Sequence, residues 1–281
     1  LLVNALFHPF TGGVEKHLLE LSRELVKQGV RVTLLTSQLE GTKLFEVMQG
    51  VRVHRLPSKF IKIPGLYPPP VVITPKIWEA LDELNASEPF DVIHLQDRWF
   101  PDFDSVCWWA NKRGKPLVVT IHNARTLGIS FSYSVFGTLY DELLGKWVFK
   151  AADKIISVSA WAREDIAQLG VDKNKIVTIP NAIDSSEFHP RNYSFALRKK
   201  WLGDARTPFL LYVGRLIKQK GLKYLLESMP VVLGSFPDAK LIFVGHGNDE
   251  KKLKEQANKL GIDKNVVFKG FIDEEELKTA F

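Results

Sequence analysis

The stretch LLYVGRLIKQKG (210–221) decides the fold. An apolar run stops at Gly214, cations follow at Arg215 and Lys220, and a helical stripe then begins with Leu222, Leu225, Leu226 and Met229. Strand, glycine turn and helix in that order is the repeating unit of a parallel sheet covered by helices. The same order suits an anion. Glycine lets backbone N–H groups come close, the helix start presents partial positive charge, and Arg and Lys neutralise the remainder. The plainer reading is a tight turn with solvated surface charge. Pro230 should kink or shorten the helix that follows.

Outward from this stretch the chain alternates β-rich runs with helical ones. Strands are expected at 1–5, 30–36, 51–56, 91–95, 117–121, 154–159, 175–179, 209–213, 239–244 and 265–269. Val14, Leu18, Leu21 and Leu25 have helical spacing and Gly29 closes that helix; another is expected from Asn248 as its cap to Gly261. The loop HPFTGGVEKH (8–17) repeats the strand–glycine–helix order, with Gly12 and Gly13 just before the helix. The pattern breaks between 184 and 208. This gives an α/β protein with a first domain at 1–188, a linker at 189–204 and a second domain at 205–281. Residues 57–77, with six prolines, and 123–137, rich in Gly, Ser and aromatics, are expected to be irregular.

A hydrophobic content of 45% with 25% charged residues is that of a folded globular protein. The lone Cys107 excludes an intrachain disulfide and suits a reducing, cytoplasmic setting. No apolar run approaches the roughly 20 residues that cross a bilayer. A net charge of +6 favours anionic partners: nucleotides, phospholipid or nucleic acid.

TGGVEKH (11–17), VVTIHN (118–123), SVSAWAREDI (157–166), VTIPNAID (177–184), LLYVGRLIKQKG and LIFVGHGNDEKKL (241–253) occur in that order. Together they resemble the retaining glycosyltransferases of family 4, across essentially the whole chain. The resemblance implies the GT-B fold: two Rossmann-like domains facing across a cleft, a nucleotide-sugar donor held mainly by the second and an acceptor mainly by the first. It implies that Arg215 and Lys220 bind the donor diphosphate and stabilise charge on the leaving nucleotide. Gly12 and Gly13 would approach the phosphates from the other side, alongside Gly214. His122 would point into the cleft near the transferred sugar; without the resemblance, it reads as a strand-end histidine bonded to backbone. Gly245, Gly247 and Phe271 match positions around the nucleobase, although Phe271 could equally be core. The family continues to an E-x7-E motif that contacts the donor sugar. The chain stops short of it, so it is expected to be an inactive fragment lacking about 100 residues of the second domain.

His94 and Asp97 in DVIHLQD (91–97) end a strand, and with Asn123 they are the acceptor-side candidates. His94, Asp97 and His122 could in principle hold a metal, but no HExxH or Cys/His spacing supports this and the family does not generally need one; no metal or other cofactor is expected. Arg98, Trp99, Phe100, Trp108, Trp109, Lys112, Arg113, Phe131, Tyr133, Phe136, Tyr140, Lys146 and Trp147 interleave aromatics with cations, with Phe60, Ile61, Ile63 and Tyr67 nearby. Most such aromatics bury; the alternative is a surface leaning on anionic lipid at the inner face of the membrane. No nucleic-acid-binding signature accompanies them. The expected activity is hexosyl transfer from a UDP- or GDP-linked sugar to a glycan or lipid-linked acceptor, in polysaccharide biosynthesis. The alternatives are a GT-B sugar-nucleotide epimerase and a non-catalytic nucleotide- or glycan-binding module. A dehydrogenase fits poorly, since no GxGxxG follows the first strand.

Overall fold

The computed structural model describes residues 1–10, 12–61, 71–98, 100–122 and 131–280. It divides into two units, Leu1–Ala182 and Ile183–Phe281. The stretch 189–204, read as a linker, is folded into the second unit.

The first unit is built on one eight-stranded sheet. Its strands are β1 (Leu2–Val3), β2 (Thr33–Ser37), β3 (Phe45–Met48), β4 (Val51–Leu56), β7 (Ile93–Gln96), β8 (Leu117–Ile121), β9 (Lys154–Ser157) and β10 (Ile176–Thr178). The short β5 (Lys59–Ile61) and β6 (Val71–Ile73) form a separate antiparallel ribbon. In the large sheet the order is β10-β9-β8-β7-β1-β2-β4-β3, parallel throughout except where β3 pairs antiparallel with β4. β1 is therefore central, with β2 on one side and β7 on the other. Helices α1 (Gly13–Lys27), α2 (Ile77–Ser87), α3 (Pro101–Lys112), α4 (Phe131–Tyr140), α5 (Lys146–Ala151) and α6 (Ala160–Ala167) complete the unit.

Because side chains alternate along a strand, the sheet buries both faces. Leu2, Leu34 and Val53 pack with Leu18 of α1 on one side. Val3, Leu35, Leu95 and Val119 pack with Leu81, Phe103 and Val106 on the other. The ribbon lies within 57–77, so that stretch is not irregular throughout, although its strands stay out of the large sheet as its prolines require. Within 123–137 the helix α4 begins at Phe131, so that stretch is not irregular throughout; 123–130 lies outside the described residues.

A π-helical turn, Asp141–Gly145, joins α4 to α5 and carries Asp141 inward. Its carboxylate meets Arg98 at 2.9 Å, both side chains almost wholly buried, and Gly145 leaves room for it. The Arg98 guanidinium also lies 5.6 Å from the Phe149 ring. Arg98, one of the cations named for the alternative of a lipid-facing surface, is thus a core residue. Trp109 and Phe149 are buried too, whereas Trp108 is 61% exposed beside Trp78 and Lys112.

The second unit is a three-stranded parallel sheet, β11 (Phe209–Val213), β12 (Lys240–Val244) and β13 (Val266–Gly270) in that order. Helices α7 (Phe195–Leu202), α8 (Leu222–Ser235), α9 (Glu250–Lys259) and α10 (Glu274–Ala280) cover both faces. Leu222, Leu226 and Met229 of α8 pack with Leu253 and Ala257 of α9; Trp201 and Ala280 pack with Ile242 and Val244 behind the sheet. α8 continues through Pro230, because Met229 and Leu226 stay anchored in that core. Asp249, one residue later than expected, occupies the cap position of α9. Asp273 accepts from the Glu276 amide at 2.7 Å, while Glu276 itself binds the Trp201 indole at 2.9 Å.

Removing one partner of a buried ion pair leaves the other charged and desolvated. Asp141→Ala should therefore cost about 3–5 kcal/mol in urea unfolding. The double replacement Arg98→Met with Asp141→Leu should cost much less, since it buries no charge.

Candidate functional site

β1 is where the winding reverses: the chain goes outward to β2 and later returns to β7 on the opposite side. Loops leaving the C-terminal ends of β1 and β7 diverge there, which in open parallel sheets makes a crevice for ligands.

Strand alternation populates this edge. Leu2 is level with His94, His94 with Val118, and Gln96 with Thr120. His94, Gln96, Thr120 and His122 therefore share one face, the face on which α1 lies. The structure joins them into a chain of hydrogen bonds. Thr120 Oγ1 is 2.7 Å from His94 Nε2, Gln96 Nε2 is 3.2 Å from the same nitrogen, and Gln96 Oε1 is 2.9 Å from His122 Nε2. From α1, the His17 ring stands edge-on to His122 at 5.1 Å. Burial pushes both His94 and His122 down to about 4, reinforced at His94 by the Leu1 ammonium and then His17, and at His122 by His17 and His94; burial also lowers His17. All three are neutral at pH 7.

His17 is one helical turn from Gly13, so the start of α1 belongs to the same edge. A Cβ on Gly12 would collide with the Glu15 carboxylate, whereas a Cβ on Gly13 would meet nothing within 4 Å. The second glycine leaves an open backbone at a helix start, which no described neighbour requires. Asp97 follows β7 with φ of +89°, a left-handed conformation costly for a non-glycine residue and concentrated at functional sites. Its amide donates to Thr120 O at 2.7 Å and its carboxylate accepts from the Arg98 amide at 2.9 Å. Asp97 is thus a turn-forming residue beside the histidines. Asn123 lies outside the described residues. Among the described residues, no three His, Cys, Asp or Glu side chains converge as a metal site would require.

In the second unit the turns after β11 and β12 are fastened together through backbone. Gly214 N donates to Val244 O, Leu216 N to His246 O, and Asp249 N to Leu216 O, at 2.9, 2.9 and 3.0 Å. Any Cβ on Gly245 would overlap the Gly214 carbonyl, and one on Gly247 the Leu216 backbone; Gly245 also has φ of +119°. These glycines are required by the close approach of two backbone segments. Leu216 and Ile217 plug into the core, leaving Arg215 and Lys220 exposed on either side of them. The Tyr212 hydroxyl donates to Arg215 O at 3.0 Å, fixing the turn. Lys220 ends a 3-10 turn immediately before Gly221 and α8. Phe271, after β13, is 73% exposed and stacks on His246 at 6.3 Å, so it is not core.

Sequence reasoning passed over Gln96, Thr120, His17 and His246. The first two were legible in principle: residues two apart on a strand share a face, and both precede a singled-out histidine or follow one by two.

Comparison with known proteins identifies the class. Residues 11–187 match the profile described as Glycosyltransferase Family 4, and residues 194–281 that of Glycosyl transferases group 1. The chain belongs to glycosyltransferase family 4. It is 27% identical over 268 residues to a phosphatidyl-myo-inositol mannosyltransferase of Mycobacterium leprae, covering 94% of this chain and 64% of that protein. It is 23% identical over 282 residues to a phosphatidylinositol N-acetylglucosaminyltransferase component of Arabidopsis thaliana, covering 100% of this chain and 59% of that one. An uncharacterized glycosyltransferase of Methanocaldococcus jannaschii is 24% identical, with 68% of its length covered. The chain thus spans roughly three-fifths to two-thirds of these relatives. Among solved structures, Anabaena HepE in complex with UDP and glucose superposes with a TM-score of 0.67 at 16% identity, over 99% of this chain and 71% of that one. The lipopolysaccharide glycosyltransferase WaaG gives 0.62 at 16% identity, over 98% and 71%. These likenesses show the shared α/β fold.

The neutral histidines make the first unit acid-sensitive. An unfolded histidine takes up a proton near 6.5, whereas folded His94 and His122 do so near 4. Between those values the unfolded chain binds more protons, so stability is complete near pH 7 and falls as pH drops. Buried His94 should lose about 2 kcal/mol between pH 7 and 5, and the more exposed His122 somewhat less. Urea melts across that range should show the slope, and His94→Gln should flatten it.

Proposed function

We propose that the protein containing this chain is a retaining glycosyltransferase that moves a hexosyl group from a UDP- or GDP-linked sugar. The observation that carries this reading is the turn after β11, where Arg215 and Lys220 stand exposed beside backbone locked by Gly245 and Gly247. Arg215 would grip two phosphate oxygens and Lys220 would act as a point charge. As the bond from the anomeric carbon to the diphosphate breaks, negative charge grows on the leaving oxygens and these fixed cations stabilise it. The acceptor hydroxyl oxygen bonds to the same face of that carbon, and its proton passes to the departing diphosphate. In the second unit Gly245 and Phe271 would meet the base; in the first, the open backbone at Gly13 would suit a phosphate and His122 a sugar. No metal is proposed to take part.

The relatives named for phosphatidylinositol acceptors favour a lipid-linked or glycan acceptor. Val135, Leu139, Leu143 and Trp147 are exposed at intervals of four along α4, the π turn and α5, with Lys146 and Lys150 also exposed. That line suits peripheral attachment to anionic lipid on the cytoplasmic face. Among the described residues, no helix is long and apolar enough to cross a membrane.

In the full-length protein, Arg215→Ala and Lys220→Ala should each lower kcat/KM for sugar transfer by about 10²–10³. Unchanged transfer and nucleotide affinity in both variants would refute the assignment. Flotation with phosphatidylglycerol-containing vesicles should recover the protein, and Leu139→Glu with Leu143→Glu should release it.

A further inference from the structure

We propose that Gln96 is a positioning residue that fixes the tautomer of His122, with the hydrogen on Nε2 and a bare lone pair on Nδ1. The expected effect on turnover rests on the transferase reading; the tautomer does not.

Gln96 is fully buried and its amide lies between two imidazoles. An amide oxygen can only accept, so at 2.9 Å from Gln96 Oε1 the His122 Nε2 must carry the hydrogen. An amide NH2 can only donate, so the His94 Nε2 facing it at 3.2 Å carries the lone pair. The Thr120 hydroxyl, 2.7 Å from the same nitrogen, donates to it as well. Every bond in the series then runs consistently from Thr120 and Gln96 to His94, and from His122 to Gln96.

The opposite sense would turn the amide over and put the hydrogen of His122 on Nδ1. That atom is closed to solvent and has no hydrogen-bond partner among the described residues. A buried N–H without an acceptor is among the rarest features of native proteins; an under-used lone pair is more tolerable. The series therefore settles with His122 as Nε2–H and Nδ1 bare. The charged alternative, with both nitrogens protonated, is opposed by burial and by His17 from α1 and His94 from β7 on the same face. The arrangement follows the logic by which the bond at one imidazole nitrogen decides what the other can do.

The test is nitrogen NMR of the protein labelled with ¹⁵N-histidine. At pH 7 the wild-type His122 should show a directly bonded hydrogen on Nε2 and none on Nδ1. Gln96→Leu should let the Nδ1–H form appear. Gln96→Glu, which keeps the acceptor, should retain Nε2–H and raise the His122 pKa above that of the wild type. In the full-length protein, Gln96→Leu should lower kcat about 10–100-fold with a smaller change in KM, and Gln96→Glu should restore part of it. A wild-type His122 carrying its hydrogen on Nδ1, or a tautomer unmoved by Gln96→Leu, would overturn the proposal. If the tautomers are as stated but no sugar transfer is detected, the transferase reading fails while the positioning role of Gln96 stands.

Discussion

The parallel pairing of β1 with both β2 and β7 is the constraint on which the first unit depends. A two-residue strand holds the centre of an eight-stranded sheet. It can do so because Leu2 and Val3 face opposite cores: Val3 packs with Leu35 of β2 and Leu95 of β7, and Leu2 with Leu34 of β2 and Leu18 of α1. Once β1 is central, the succeeding segments must leave in opposite directions. The start of α1, the end of β7 and the end of β8 are then gathered at one edge. The histidines are consequences of that topology: like-facing positions deliver His94 and Gln96 on β7, Thr120 on β8 and His122 just past it, beneath α1.

In the second unit the corresponding constraint is the approach of two backbones. The carbonyls of Gly214 and Leu216 occupy the space where side chains of residues 245 and 247 would be. Fastened this way, the turn holds Leu216 and Ile217 in the core, and the intervening geometry sets where Arg215 and Lys220 emerge.

Much of this was legible in the sequence because it was written in periodicity. Short β-rich runs alternating with helical stripes located ten strands, and glycine turns at Gly12–Gly13 and Gly214 marked two strand-to-helix turns. β3, β5 and β6 were not legible: they are short, partly or wholly exposed, and lack the sustained apolar character of the central strands. The role of Arg98 was hidden for a different reason. Its partner Asp141 is 43 positions away, on a π-helical turn whose geometry no local pattern announces. Gln96 was overlooked because a neutral amide carries no charge signal, although its spacing from His94 placed it on the same face. Phe271 could be read either as core or as a ligand platform, and only its exposure distinguishes the two.

The functional reading stands or falls with Arg215 and Lys220 holding the diphosphate of a nucleotide donor. A crystal structure of the full-length protein with UDP or GDP bound would decide it. Phosphate oxygens are expected within hydrogen-bonding distance of the Arg215 guanidinium and the Lys220 ammonium. A nucleotide bound elsewhere, for instance in the groove lined by Asn111, Lys115 and Asp153 at the start of β8, with Arg215 and Lys220 left in solvent, would be incompatible with that reading.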